Sequence, residues 1–130
     1  MTHSSAAPAT TANSSALRIV ATLTVVFIVL QGVTAGGILS RVRVAESLHF
    51  GGAIAVHVLT GLTAVAAFLL TRQRQAPWWP TVLAALVFVV GFVQATVGEA
   101  GILLVHVPLA MVLLVGAVTV MVWSFTATRR

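Results

Sequence analysis

Apolar and polar positions follow one another along this chain in long blocks, not in short alternation. Four apolar runs span about residues 17–39, 50–71, 80–97 and 101–125. Runs of about 18 to 25 residues cross a hydrocarbon core of about 30 Å as helices. Backbone groups in lipid must also find their hydrogen bonds within the segment. The pattern therefore predicts an all-α membrane protein, a four-helix bundle of up-down-up-down topology.

Polar segments at both ends complete the predicted domain organisation. Residues 1–16, MTHSSAAPATTANSSA, are small and polar without an apolar period, which predicts a disordered tail. Residues 17–126 form the transmembrane domain, and residues 127–130 form a short C-terminal tail.

Composition agrees with a membrane location. Charged residues make up 7% of the chain and the mean hydropathy is +1.10, whereas soluble domains are about a quarter charged. The net charge of +5 comes from seven arginines and two glutamates. These arginines lie between the apolar runs, so they indicate topology and not nucleic-acid binding. Because the chain has no cysteine, disulfides, thiolate metal sites and covalently attached c-type haem are excluded.

The arginines predict the orientation of the bundle. Five lie at the N-terminal flank, the second connection and the C-terminus, which four helices place on one side: Arg18, Arg72, Arg74, Arg129 and Arg130. The opposite side has Arg41 and Arg43 together with both glutamates. Positive charge favours the cytoplasmic side, so we expect both termini in the cytoplasm and the helices in a bacterial plasma membrane.

A short internal repeat relates the two halves of the chain. VLQGVTAGGIL begins at Val29, and FVQATVGEAGIL begins at Phe92. Each precedes a returning helix that carries a histidine. The repeat predicts two helical hairpins related by a pseudo-two-fold axis along the membrane normal. Chance similarity between apolar segments is the alternative.

Two histidines lie inside apolar runs, where an ionisable group is costly and is often functional. His57 lies about seven residues beyond the expected outer start of the second helix, and His106 about five beyond that of the fourth, a depth of about 8 to 10 Å for both. Diagonal helices carry both rings, so we expect His57 and His106 to ligate one haem iron from opposite faces. The alternative is that each histidine hydrogen-bonds a neighbouring helix.

Further residues are expected around this haem. Gly61 and Ala110 lie one turn beyond the two histidines and leave room for a flat macrocycle. Gln31 and Gln94 either hydrogen-bond between helices or support the cofactor. Arg41 and Arg43 are candidates to pair with the propionates.

The outer connections carry weaker candidates for catalysis. Glu46 and His49, in ESLH, lie one helical turn apart if the second helix starts early. Glu46 and Glu99 are candidate catalytic carboxylates at the mouth of the pocket, although a solvated loop is the simpler interpretation.

The segments VQATVGEAGILLVHVPLAMVLL, VHVLTGLTAVAAFLL and LQGVTAGGIL resemble the haem A synthase family over about residues 17–123. Members of that family have eight helices in two four-helix halves, each half with a histidine pair, and half-size relatives exist. The resemblance implies a b-type haem (iron) held by His57 and His106 near the outer surface, for electron transfer or haem handling.

Two departures weaken the synthase chemistry that the resemblance implies. The family's Glu-x-x-His-Arg motif is matched only by Glu46 to His49, with Phe50 in place of arginine, and the outer cysteine pair is missing. With one histidine pair, oxidation of haem O to haem A requires a homo-oligomer or a redox or haem-biosynthesis partner. A haem-free structural or interaction protein in the lipid bilayer is the remaining alternative.

Overall fold

The structure is a computed structural model that describes residues 8–127, with side chains from residue 14 onwards. It has four helices: α1 (Pro8–Leu39), α2 (Ala45–Arg72), α3 (Trp79–Glu99) and α4 (Leu103–Thr126). All four are long and apolar enough to span a membrane. The prediction of an all-α protein with four membrane helices is confirmed.

The helices form a bundle in which each packs on its neighbours in the chain. Contacts join α1 to α2, α2 to α3 and α3 to α4, and α4 packs back against α1 to close the bundle. The diagonal pairs, α1 with α3 and α2 with α4, barely meet. Connections as short as residues 40–44, 73–78 and 100–102 require antiparallel neighbours. The topology is therefore up-down-up-down.

Two helices begin earlier than the apolar runs predict. α1 starts at Pro8 and so includes residues 8–16, which the sequence assigned to the tail; residues 1–7 and 128–130 lie outside the described part. Proline suits a first helical position, where its missing N–H is not needed. α2 starts at Ala45, five residues before Phe50, because Ala45 is buried against Gly37 of α1.

The end of the bundle where α1 begins and α4 ends, here called the terminal half (residues 14–27, 60–87 and 113–127), contains the packed core. Leu17, Leu70 and Val120 are almost fully enclosed, and small residues such as Ala67 and Ala84 let the helices approach closely. The cavity between the four helices measures only about 10 Å³, no more than a single water needs.

Hydroxyl groups link the helices within this terminal half. The Oγ1 atoms of Thr24 and Thr63 lie 2.9 Å apart between α1 and α2, and those of Thr71 and Thr81 lie 2.9 Å apart between α2 and α3. Arg18 Nε donates to the Ser124 carbonyl at 3.1 Å and so joins α1 to α4. Interhelical hydrogen bonds of this kind commonly stabilise the association of membrane helices.

The other end, here called the histidine half (residues 28–59 and 88–112), is packed differently. Among the described residues of this half, only Ala45 is fully buried. Its inward-facing positions carry Gln31, Gln94 and three histidines, all half-buried. The amide and imidazole side chains of the bundle interior are therefore concentrated where apolar packing is weakest, whereas the buried hydroxyl groups lie in the terminal half.

Candidate functional site

Three histidines from two diagonal helices line the histidine half. His49 and His57 lie four and twelve residues beyond the first residue of α2, and His106 lies three residues beyond the first residue of α4. At 1.5 Å of rise per residue, His49 and His106 are therefore at nearly the same depth, and His57 is about 12 Å further along its helix than His49. The equal depth expected for His57 and His106 is not observed, because α2 begins earlier than its apolar run.

His49 and His106 face each other across the bundle. Their ring centroids are 6.5 Å apart and the ring planes are inclined by 57°. Nδ1 of His49 lies 2.9 Å from Oγ1 of Thr34 on α1. Because α2 and α4 barely meet elsewhere, this close approach of two imidazoles is the main link between these diagonal helices.

His106 is held firmly by α3. Its Nδ1 lies 3.0 Å from the Gln94 carbonyl oxygen, and its Nε2 lies 3.3 Å from the side-chain nitrogen of the same residue. A Cβ atom added at Gly98 would stand 2.5 Å from Cε1 of this ring. Glycine at position 98 is therefore what lets the imidazole approach α3 this closely.

His57 occupies a different level of the same helix. Its ring packs on Phe92 with centroids 4.6 Å apart, and its Nε2 approaches the backbone at Gly91. Gly91 and Gly98, which contact His57 and His106 respectively, are seven residues apart, or about 10 Å along α3. The structure thus brings His106 together with His49 and not with His57.

The hydrogen bonds indicate one tautomer for all three rings. Nδ1 of His57 lies 2.8 Å from the Ala53 carbonyl, and Nδ1 of His106 faces the Gln94 carbonyl, so both must donate. Thr34 gives its own hydroxyl hydrogen to a carbonyl of its helix and therefore accepts from His49. Each Nε2 is left with a lone pair, the form in which histidine binds metals while Nδ1–H is anchored elsewhere.

The two predicted glutamines both face the interior but do different things. Gln94 holds His106 through its backbone and its side chain. Gln31 packs its amide against Gly52 of α2, so closely that a Cβ atom there would collide with it. Both contacts are between neighbouring helices. The Gln94 side chain lies within hydrogen-bond distance of His106, and the Gln31 backbone bonds His49.

The remaining predicted residues lie apart from this pair. Gly61 packs on the ring of Phe88 at the α2–α3 contact, and Ala110 is half-buried on α4. Four charged candidates are exposed at the end of the histidine half, near the connections of residues 40–44 and 100–102: Arg41, Arg43, Glu46 and Glu99. Their roles as propionate partners or catalytic carboxylates stay predictions.

His49 is the residue whose position sequence reasoning misjudged. The sequence predicts that Glu46 and His49 lie one helical turn apart only if α2 starts early, and α2 does start at Ala45. The internal repeat also indicates the pairing of His49 with His106, because each lies near the first residue of a returning helix, α2 and α4 respectively.

Comparison of the chain with known protein families, curated proteins and solved structures finds no match. The resemblance to the haem A synthase family therefore rests on its short motifs alone.

Proposed function

We propose that this chain is an integral membrane protein that binds one b-type haem between α2 and α4, in the histidine half of the bundle. The haem would serve electron transfer or haem handling. The observation that carries the proposal is the facing pair His49 and His106, with ring centroids 6.5 Å apart. Two imidazoles that bind one metal from opposite sides, with metal–nitrogen distances of about 2.0 Å, have centroids about 6 Å apart. The observed separation fits that arrangement.

The donor set also favours haem over a bare metal ion. Among the described residues, no group of three His, Cys, Asp or Glu side chains is arranged to hold a metal. A protein site for zinc usually needs at least three such ligands. Haem iron takes four nitrogens from the porphyrin and needs only two axial ligands, which a histidine pair supplies. Bound haem would provide a one-electron iron couple.

The chain's own residues would orient the axial ligands. The Gln94 carbonyl accepts the Nδ1 hydrogen of His106, and Thr34 accepts that of His49. Such contacts fix the ring plane and the tautomer and direct the Nε2 lone pair toward the metal. The side-chain nitrogen of Gln94, which now lies near Nε2 of His106, would have to move aside on binding.

His49 is favoured over His57 as the ligand on α2. Nε2 of His57 is buried against α3 and the ring is covered by Phe92, which leaves no space for a macrocycle on that atom. The pairing of His57 with His106 is nonetheless a sequence prediction that the same experiment decides.

We propose that both termini lie in the cytoplasm and that the histidine half faces the outer side of the plasma membrane. The distribution of arginines supports this orientation: Arg18, Arg72 and Arg74 lie at the terminal end. An electron donor or acceptor would then approach from the outer surface, either as a partner protein or as another copy of the chain.

The test is the reduced-minus-oxidised absorption spectrum of the protein purified in mild detergent, recorded for the wild type and for H49A, H57A and H106A. We expect a low-spin b-type spectrum in the wild type and in H57A. In H49A and H106A we expect a high-spin spectrum or loss of haem, because an axial ligand is missing.

Two results would change the interpretation. Loss of the spectrum in H57A with retention in H49A would restore the pairing of His57 with His106. A wild-type protein that stays free of haem after hemin is added would contradict the cofactor proposal altogether.

A further inference from the structure

Two polar atoms inside the bundle have no hydrogen-bond partner among the described residues. They are Nε2 of His57 on α2 and Oε1 of Gln94 on α3, and both are fully shielded from the surface. A buried polar atom without a partner costs about 1 to 3 kcal/mol. Inside a membrane protein the cost is not relieved by bulk water. Two such atoms at one helix contact therefore need an explanation.

Both atoms are hydrogen-bond acceptors. His57 gives its Nδ1 hydrogen to the Ala53 carbonyl, which leaves a lone pair on Nε2. Gln94 directs its amide nitrogen at Nε2 of His106, whose own hydrogen is on Nδ1. The opposite orientation of this amide would set an oxygen against a lone pair, so the unpartnered atom of Gln94 is its oxygen. Two acceptors cannot bond each other.

The two side chains meet α3 within one helical turn of each other. A Cβ atom added at Gly91 would lie 3.5 Å from Nε2 of His57. Gln94 lies three residues further along α3, and residues at this spacing share a helix face with about 5 to 6 Å between Cβ positions. Glycine at position 91 leaves space beside the ring. A molecule that reaches both atoms must be small, and it must donate two hydrogens.

We propose that one ordered water molecule binds between α2 and α3 and donates one hydrogen to His57 Nε2 and the other to Gln94 Oε1. Buried waters in proteins typically satisfy polar groups that have no other partner. This water extends the polar interior from His49 and His106, through Gln94, to His57. It also gives His57 a role that does not require haem. Because bound haem would move the Gln94 side chain, the water is proposed for the haem-free chain, and the haem-free chain tests it whether or not haem can bind.

The first test uses wild-type protein labelled with 15N-histidine, prepared free of haem, in lipid nanodiscs. We expect a water cross-peak to the His57 ring, and an Nε2 resonance typical of an unprotonated nitrogen that accepts a hydrogen bond. A ring protonated at both nitrogens, or one without contact to water, would overturn the proposal.

The second test is a double-mutant cycle on the equilibrium constant of unfolding, with H57F and Q94M. If one water serves both atoms, the double variant is less destabilised than the two single effects predict, by about threefold or more in that constant. The loss of the Gln94 contact with His106 cancels in the cycle. The control cycle pairs H57F with Q31M, since Gln31 is the counterpart of Gln94 in the repeat but packs on Gly52.

The control cycle should be additive. Additivity in the His57–Gln94 cycle as well would contradict a shared water. If a variant fails to fold, the wild-type spectrum alone decides.

Discussion

In the terminal half, the helix faces that meet at the bundle axis carry leucine, alanine, threonine and glycine, and they are almost fully buried. In the histidine half, the same faces of the same helices carry two glutamines and three imidazoles that are only half-buried. Membrane helices gain little from the hydrophobic effect on associating, so close packing and hydrogen bonds must hold them. The difference separates a closely packed terminal half, which should supply most of the stability, from a histidine half that carries the polar side chains of the proposed site.

The largest effect expected from this division concerns a core leucine. Leu70 is 1% exposed, whereas its neighbour Leu69 is 43% exposed on the lipid side. Truncation of a buried leucine typically costs about 2 to 5 kcal/mol, so we expect L70A to lower the free energy of unfolding by that amount. L69A is the matched control and should cost far less. Unfolding in mixed micelles measures both, and equal losses would contradict the assignment of the core to this half.

Two glycines allow the packing of the two halves to be compared, with a smaller expected change in the free energy of unfolding. A Cβ atom at Gly116 in the terminal half would stand 2.8 Å from Cγ2 of Val87, whereas one at Gly36 in the histidine half would meet nothing within 4 Å. Overpacking usually costs about 1 to 3 kcal/mol, which is the loss expected for G116A. G36A should be neutral, or stabilising by up to about 1 kcal/mol. Thermal unfolding of the two variants side by side tests this, and a destabilised G36A would show that the histidine half is packed as tightly.

Hydroxyl bonds should contribute less than packing. T24V and T63V each remove one partner of the 2.9 Å contact between α1 and α2. Side-chain hydrogen bonds between membrane helices average about 0.6 kcal/mol, so we expect losses near that value and a double variant no worse than either alone. T119V is the control, because Thr119 is exposed and bonds only the Val115 carbonyl of its own helix. Additive losses for the pair would mean that the two hydroxyls do not act together.

The smallest effect concerns the turns, where the two ends are alike. Arg41 and Arg74 have φ angles of 58° and 56°, a conformation that glycine adopts more readily than other residues. Glycine avoids a conformational cost of about 1 to 2 kcal/mol, but its greater freedom in the unfolded chain offsets about 0.5 to 1 kcal/mol of that. We therefore expect R41G and R74G to be only slightly more stable than R41A and R74A respectively. The alanine variants control for loss of the charge. A clear difference between the two turns would show that the halves differ in backbone strain as well as in side-chain packing.

Much of this fold could be predicted from the sequence, since four long apolar runs admit few arrangements. α3 and α4 begin and end within two residues of their runs. The start of α2 could not be predicted in the same way, because hydropathy marks the part of a helix that lipid covers and not where its hydrogen bonding begins. Burial of Ala45 against Gly37 extends the helix into the polar segment AESLH.

This shift of five residues changed the candidate site. His57 and His106 would lie at the same depth if α2 began at Phe50. The observed start at Ala45 instead places His49 at the depth of His106. Gln94, by contrast, is predicted to face another helix, because an amide inside an apolar run must find a partner there, and its side chain lies 3.3 Å from Nε2 of His106 on α4. Side-chain depth is thus predictable only as precisely as the helix start.

The contact of α4 with α1, joined by Arg18 and Ser124, sets the N-terminal part of α1 beside the C-terminal part of α4 on one side of the bundle. A chain with an even number of crossings can be duplicated head to tail without reversing the orientation of either copy. The join needs only a short connection along the membrane surface, and each copy keeps its own histidine pair. A bundle of this kind is therefore a unit that a gene duplication can double without inverting either copy, after which the two copies are free to diverge.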